Sequence, residues 1–268
     1  MKSETVTFRG SLGSELAARL ESPKTAPLAY AIFAHCFTCG KDSSAAVRVS
    51  RALAARGVAV LRFDFTGLGQ SGGDFADSSF SSNAADLLAA AEYLRTTYAA
   101  PALLIGHSLG GSAVLAAAGA IPEVRAVATI GAPSEVAHVA HHLGSQRDAI
   151  EAEGRAEVRL GGRSLTITRQ FVDDLNKHDL LDLVGRLRRP LLVMHAPRDE
   201  IVGIDHASRI FLAAKHPRSF ISLDDADHLL LRAEDAQYAA DVIAVWASRF
   251  ISRPAERLAV TATHDAVP

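Results

Sequence analysis

A buried strand that runs into a glycine-flanked serine and then directly into a helix leaves a chain few folds to choose from. Here Ala102-Leu103-Leu104-Ile105 leads into Gly106-His107-Ser108-Leu109-Gly110-Gly111, and Ser112-Ala113-Val114-Leu115-Ala116-Ala117 follows at once. A Gly-x-Ser-x-Gly signature in that context predicts a sharp strand-to-helix turn, the form of a nucleophile elbow. Ser108 is expected in strained backbone geometry, its hydroxyl lifted clear of the sheet near the positive end of the helix. Gly106 and Gly110 are expected because a Cβ at either position would collide with a neighbouring strand or helix. A plain small-residue turn shares the Gly-x-Ser-x-Gly spacing, but it does not require the strand, the helix and the second glycine together.

The segments around this turn alternate between strand and helix. Thr5 to Phe8 and Glu15 to Leu20 read as a hairpin around Gly10 to Gly13, followed by a continuous apolar strand from Tyr30 to Ala34. Asp42 is expected to cap a helix that carries Ala46, Val49 and Leu53 on one face, with Gly57 past its end and the strand Val58 to Phe63 beyond. Leu87, Ala91, Leu94 and Tyr98 mark the next helix, and Val124 to Ile130, Leu191 to Met194 and Ser219 to Leu223 are further strands. Such continuous apolar runs suit strands covered on both faces. The fold class expected is therefore α/β, a doubly wound and mostly parallel sheet whose reactive groups gather at the carboxyl ends of its strands. The alternation breaks between about Pro133 and Pro190, where Gly161-Gly162 joins two alternating runs as a hairpin; this stretch is expected to be a small cap. One domain over residues 1–252 is expected, its last helix holding Val242, Val245, Trp246 and Phe250, with residues 253–268 as a polar tail or linker.

With 268 residues and 49% hydrophobic content the chain can build a sizeable core. A net charge of −2 with no long single-sign block argues against nucleic acid and against a polybasic membrane anchor, leaving small molecules as the expected partners. The N-terminus has no apolar signal-like core, and no run reaches the roughly eighteen apolar residues a membrane span needs, so a cytoplasmic location is expected. Two cysteines cannot build a disulfide framework for a chain of this length.

Serine is a weak nucleophile at neutral pH. It needs a histidine to take its proton, a carboxylate to orient that histidine, and N–H donors for the developing oxyanion. Asp199 follows the strand Leu191 to Met194 and is the expected acid, with its neighbour Glu200 as the alternative. His228 follows the last strand and is the expected base, while Asp227 beside it is expected to shape the loop. Asp199 could equally serve as a turn residue, and His228 as a surface histidine among acids. The two fall after the right strands in the right order, and that joint occurrence favours the catalytic reading. The oxyanion donors are expected to be the N–H of Leu109 and that of Phe37, with Cys36 as the alternative because it replaces the glycine that usually follows a histidine such as His35.

With these residues the chain resembles the serine-dependent α/β-hydrolase superfamily over nearly its whole length, including the chain order Ser108, Asp199, His228. Asp64-Phe65-Thr66-Gly67-Leu68-Gly69-Gln70-Ser71 looks like that family's structural Asp-x-x-Gly-x-Gly-x-Ser turn. Together with His35-Cys36-Phe37-Thr38-Cys39-Gly40-Lys41-Asp42, the motifs resemble the hydrolase half of bacterial proteins that fuse such a domain to an OsmC-like, cysteine-based peroxide-reducing domain. The resemblance implies an α/β-hydrolase fold with a small cap, a carboxylic ester hydrolase favouring short acyl chains, no cofactor and no metal. It also implies an OsmC-like domain as fused or separate partner. No such domain lies in this chain, whose tail resembles the start of the connecting segment, so the chain is either one part of a fusion or a stand-alone relative.

Thioesterase, amidase and peptidase activity use the same machinery and stand as alternatives, as does a non-catalytic or redox-regulated binding module using Cys36 and Cys39. A thioredoxin-like Cys-x-x-Cys opens a helix near the start of a different fold, and two thiolates fall short of a zinc site. Gly40-Lys41 fails as a phosphate loop, since His35 stands where the first glycine belongs and Asp42 where Ser or Thr must be. His138, His141 and His142 share a helical face but lack a further ligand, and Ser108 at the turn excludes a dehalogenase.

Overall fold

The computed structural model describes residues 1–251 apart from 38, 145, 161 and 162, and the side chains of 141, 142 and 160 stand outside that description. Strands β1 (Lys2–Arg9) and β2 (Glu15–Ser22) form the expected antiparallel hairpin, with Phe8 opposite Leu16. Then come β3 (Ala29–Ala34), α1 (Ser44–Ala55), β4 (Val58–Phe63), α2 (Phe80–Thr97), β5 (Pro101–His107), α3 (Leu109–Ala117) and β6 (Ala126–Ile130). An insertion follows, built from the 3-10 stretch Val136–Leu143, α4 (Gln146–Glu153), β7 (Arg155–Leu160), β8 (Arg163–Thr168), α5 (Arg169–Leu175) and α6 (Leu180–Arg186). The chain returns to the sheet through β9 (Leu191–His195), α7 (Ile204–Ala213) and β10 (Arg218–Ser222), and α8 (Ala233–Ile251) completes it.

Eight strands form the main sheet in the order β1-β2-β4-β3-β5-β6-β9-β10. β2 alone runs against the others, antiparallel to both β1 and β4, and every pair from β4 to β10 is parallel. The continuous apolar runs have the physical reason anticipated. Side chains alternate across the sheet, so Ile32, Leu61, Leu104 and Val127 enter one buried cluster with α2 and α3, while Phe33, Val60, Ile105 and Ala128 enter a second with α1 and α8. Strands β7 and β8 pair separately, Leu160 opposite Arg163, and the Gly161-Gly162 turn expected between them lies outside the described residues. The expected tail, 253–268, lies outside them as well. Among the described residues no helix is long and apolar enough to cross a membrane.

One local expectation is corrected. Asp42 does not cap α1: the residue before the helix is Ser43, and the Asp42 carboxylate instead accepts from the buried Arg62 guanidinium at 2.7 Å. A cation inside the sheet must be met by carboxylates, and Asp42 and Glu21 meet it. In α8 the inward face is Ala236, Ala239, Ala240, Ile243 and Ala247, whereas Val245 is 73% exposed. Small residues let α8 approach α1, which offers Ala45, Ala46 and Ala52 to the same cluster.

Candidate active site

At the end of β5 the chain turns so sharply that Ser108 takes φ 54° and ψ −127°, the only positive-φ residue of the strand-to-helix turn, before α3 starts at Leu109. The turn is tied to the sheet by the Ser108 N–H donating to Ile130 O at 2.8 Å. The flanking glycines are sterically required. A Cβ on Gly106 would stand 2.3 Å from Gly110 O, and one on Gly110 would stand 2.4 Å from the carbonyl oxygens of Ala34 and His35.

Three side chains from three loops meet at this point. His228 Nε2 stands 3.0 Å from Ser108 Oγ, and its Nδ1 stands 2.7 Å from Asp199 Oδ2. The carboxylate therefore accepts a hydrogen bond from Nδ1–H, which keeps the proton on Nδ1 and leaves Nε2 as the acceptor facing the serine hydroxyl. Asp199 also does the work of a turn residue, because its other oxygen accepts the N–H groups of Ile201 and Val202, each at 2.9 Å. Burial alone would raise the Asp199 carboxyl; hydrogen bonds from His228 and the Val202 N–H outweigh that and hold it below the ordinary carboxylate value. Glu200 is exposed, and the carboxylate that reaches the imidazole is that of Asp199. Asp227 accepts the N–H groups of Leu229 and Leu231, which shapes the loop carrying His228.

Further residues, not singled out by sequence as parts of the site, hold this arrangement. His107 is buried and donates from Nε2 to the His228 carbonyl at 2.6 Å, fixing the backbone of the loop. Burial, with His228 close by, pushes the His107 imidazole down to about 4. His195, fully buried at the end of β9, donates to Val202 O at 2.7 Å and so braces the Asp199 loop. Gly131 has φ 58°, and a Cβ there would stand 3.3 Å from His228 Nδ1 and 3.4 Å from Asp199 Oδ2. The sequence signals for these roles are slight: a histidine within the elbow motif, a histidine at a strand end and a glycine after an apolar strand.

The loop after β3 carries the expected second donor. Phe37 packs against Phe75 and Phe171, with ring centroids 5.8 and 5.4 Å away, so a residue of the insertion braces this loop. Leu109 is the first residue of α3, where a helix leaves N–H groups without an intrahelical acceptor. Cys36 and Cys39 form a disulfide, and Asp64 accepts from Lys41 Nζ at 2.8 Å and from the Lys41 and Gln70 N–H groups. That carboxylate neutralises the lysine in the Gly40-Lys41 pair and, through Gln70, closes the Asp64 to Ser71 turn.

Ser108, His228, Phe37 and the two cysteines line one cavity of about 800 Å³, with His138, Val139 and Arg163 of the insertion on its wall. His138 donates to Ile201 O at 2.9 Å. The side chains of His141 and His142 lie outside the described residues, and among those residues no group of three or more His, Cys, Asp or Glu could hold a metal.

Residues 29–147 match a family model described as serine aminopeptidase, S33. The chain is 30% identical over 168 residues to the mitochondrial palmitoyl-protein thioesterase ABHD10 of Mus musculus, covering 59% of this chain and 54% of that protein. It thus spans about half the length of the curated relatives it matches. Among solved structures, the esterase domain of a Rhodothermus marinus protein is 50% identical, with 94% of this chain and 100% of that chain covered and a TM-score of 0.77. Est1E from Butyrivibrio proteoclasticus with ferulic acid bound is 23% identical over 92% of this chain and 100% of that one, with a TM-score of 0.81, and shares the fold.

Proposed function

The chain belongs to the α/β-hydrolase superfamily, and on that premise we propose that it cleaves carboxylic esters through an acyl-enzyme formed on Ser108. The observation that carries the reading is the relay of 3.0 Å from Ser108 Oγ to His228 Nε2 and 2.7 Å from His228 Nδ1 to Asp199 Oδ2, on the wall of a large cavity. The 50% identity to a protein described as an esterase domain supports the ester class.

In the first step Ser108 Oγ attacks the carbonyl carbon while His228 Nε2 takes its proton. Asp199 keeps the ring oriented and stabilises the imidazolium. The N–H groups of Leu109 and Phe37 receive the oxyanion, Cys36 being the alternative to Phe37. His228 then gives its proton to the departing alkoxide. In the second step water attacks the acyl carbon with His228 again as base, releasing the acid and restoring Ser108.

A cavity of about 800 Å³ exceeds what a short acyl group fills, so the reading extends to larger acyl groups than the resemblance implies. A thioester is the second reading, favoured by the thioesterase name of the mouse relative. An OsmC-like domain, fused or separate, remains the proposed partner. The test is turnover of p-nitrophenyl esters from acetate to palmitate, beside a palmitoyl thioester. Ser108→Ala and His228→Ala should abolish it in folded protein, and Asp199→Asn should lower kcat by about 10⁴. Normal turnover by Ser108→Ala would overturn the reading; damage from Glu200→Gln in place of Asp199→Asn would move the acid.

A further inference from the structure

The Cys36–Cys39 bridge joins residues three apart, so it closes too short a loop to staple distant parts of the fold. Its consequence is local, and Phe37 lies inside that loop. The Cys36 carbonyl accepts from the Cys39 N–H at 3.1 Å and from His35 Nδ1 at 2.7 Å. A peptide group is planar and trans, so whatever fixes the Cys36 carbonyl also aims the Phe37 N–H on the same peptide in the opposite direction. One of the two bonds that fix it comes from a bridged cysteine. The other side of the loop is held through Phe37 itself, against Phe75 and Phe171.

Both cysteines line the cavity that holds Ser108 and His228. Cys36 is buried, and Cys39 is the more accessible of the two. Their Cα atoms are 5.2 Å apart, within the span an ordinary disulfide bridges, so the bond can open and re-form without large movement of the backbone.

We propose that Cys36 and Cys39 form an exchangeable thiol–disulfide site, served by a dithiol reductant that enters through the substrate cavity, and that the disulfide positions the Phe37 N–H for the oxyanion. This rests on the esterase reading above. A thiolate of the reductant attacks Cys39 Sγ, the S–S bond breaks, and Cys36 leaves as thiolate and takes a proton. The reductant's second thiol then displaces Cys39 from the mixed disulfide. Two electrons and two protons pass to the protein, and the reductant becomes a disulfide. In the reduced chain the Cys39 N–H is no longer tethered to the Cys36 carbonyl. The Phe37 N–H loses its aim while the acyl-binding wall stays in place, so kcat suffers more than KM.

The experiment uses the full chain, oxidised or reduced with dithiothreitol and desalted under argon, with intact mass after iodoacetamide reporting zero or two adducts. Ester turnover is measured in both forms and after reoxidation. The reduced form should show kcat at least tenfold lower with KM within twofold, restored on reoxidation, because loss of one oxyanion donor costs up to about 10²–10³. Cys39→Ser, with thermal unfolding as the folding check, should sit at the reduced level and ignore dithiothreitol. Equal kcat in the two forms, a disulfide that resists dithiothreitol in folded protein, or an equal effect of dithiothreitol on Cys39→Ser would overturn the proposal while leaving the esterase reading intact. Failure of both forms to turn over any ester or accept a fluorophosphonate would overturn the esterase reading itself, and the positioning role with it.

Discussion

Gly131 shows how much of this site is decided by atoms that are absent. It has positive φ, and a Cβ would press within 3.3 Å of the His228 ring nitrogen that faces Asp199. Gly131→Ala should cost about 1–2 kcal/mol of stability through the left-handed backbone alone. It should also lower kcat/KM at least tenfold by pushing the imidazole off its line; urea unfolding and ester kinetics on one preparation would check both. Unchanged kcat/KM would mean that the ring has slack. Ser108, Asp199 and His228 could be read from sequence because each follows a strand end, and topology brings strand ends together. Gly131, His107 and His195 could not be singled out, since each acts through a backbone contact that exists only after β5, β6 and β9 are side by side.

At the level of elements, the insertion between β6 and β9 buries residues such as Ile150, Ile167 and Val184 in the main cluster, and two of its further contacts can be cut singly. Asp174 of α5 accepts from the Ser81 N–H and hydroxyl at 2.8 and 2.7 Å, at the start of α2, and Phe171 completes the aromatic group with Phe37 and Phe75. Phe171→Ala should destabilise by about 3 kcal/mol, as large-to-small changes at buried rings do. Because Phe171 also braces the loop of Phe37, kcat should fall as well, by more than Tm alone explains; thermal unfolding beside ester kinetics separates the two. The strands of the main sheet were legible because period-two burial on both faces leaves continuous apolar runs. The inward face of α8 was not, because sequence weighs bulk, and this helix buries alanines against α1 while exposing Val245. Likewise Asp42 had the chemistry of a cap, but Arg62, twenty residues on and buried in β4, claims its carboxylate.

Across the whole molecule, four buried histidines set an acid limit on stability. Burial is the main cause that lowers His35, His107, His195 and His206 below the ordinary value near 6.5. As pH falls the unfolded chain takes up these protons first, so stability is whole above 6.5 and drains away as pH drops towards the folded values. For His107, from 6.5 to about 4, this amounts to roughly 3 kcal/mol. Asp199 and Asp174, whose carboxyls are held low, add a further loss once pH falls through their own folded values. The urea midpoint should therefore decline between pH 6.5 and 4.5, and less steeply in His107→Gln; a midpoint that stays level over that range would contradict the account. The central claim is narrower, that Ser108 is an activated nucleophile in this fold. It is tested most directly by intact mass of the wild-type chain and Ser108→Ala after a fluorophosphonate. A single adduct on the wild type that is absent from the folded variant is the predicted result, and no adduct on the folded wild type, or one that persists in Ser108→Ala, would contradict it.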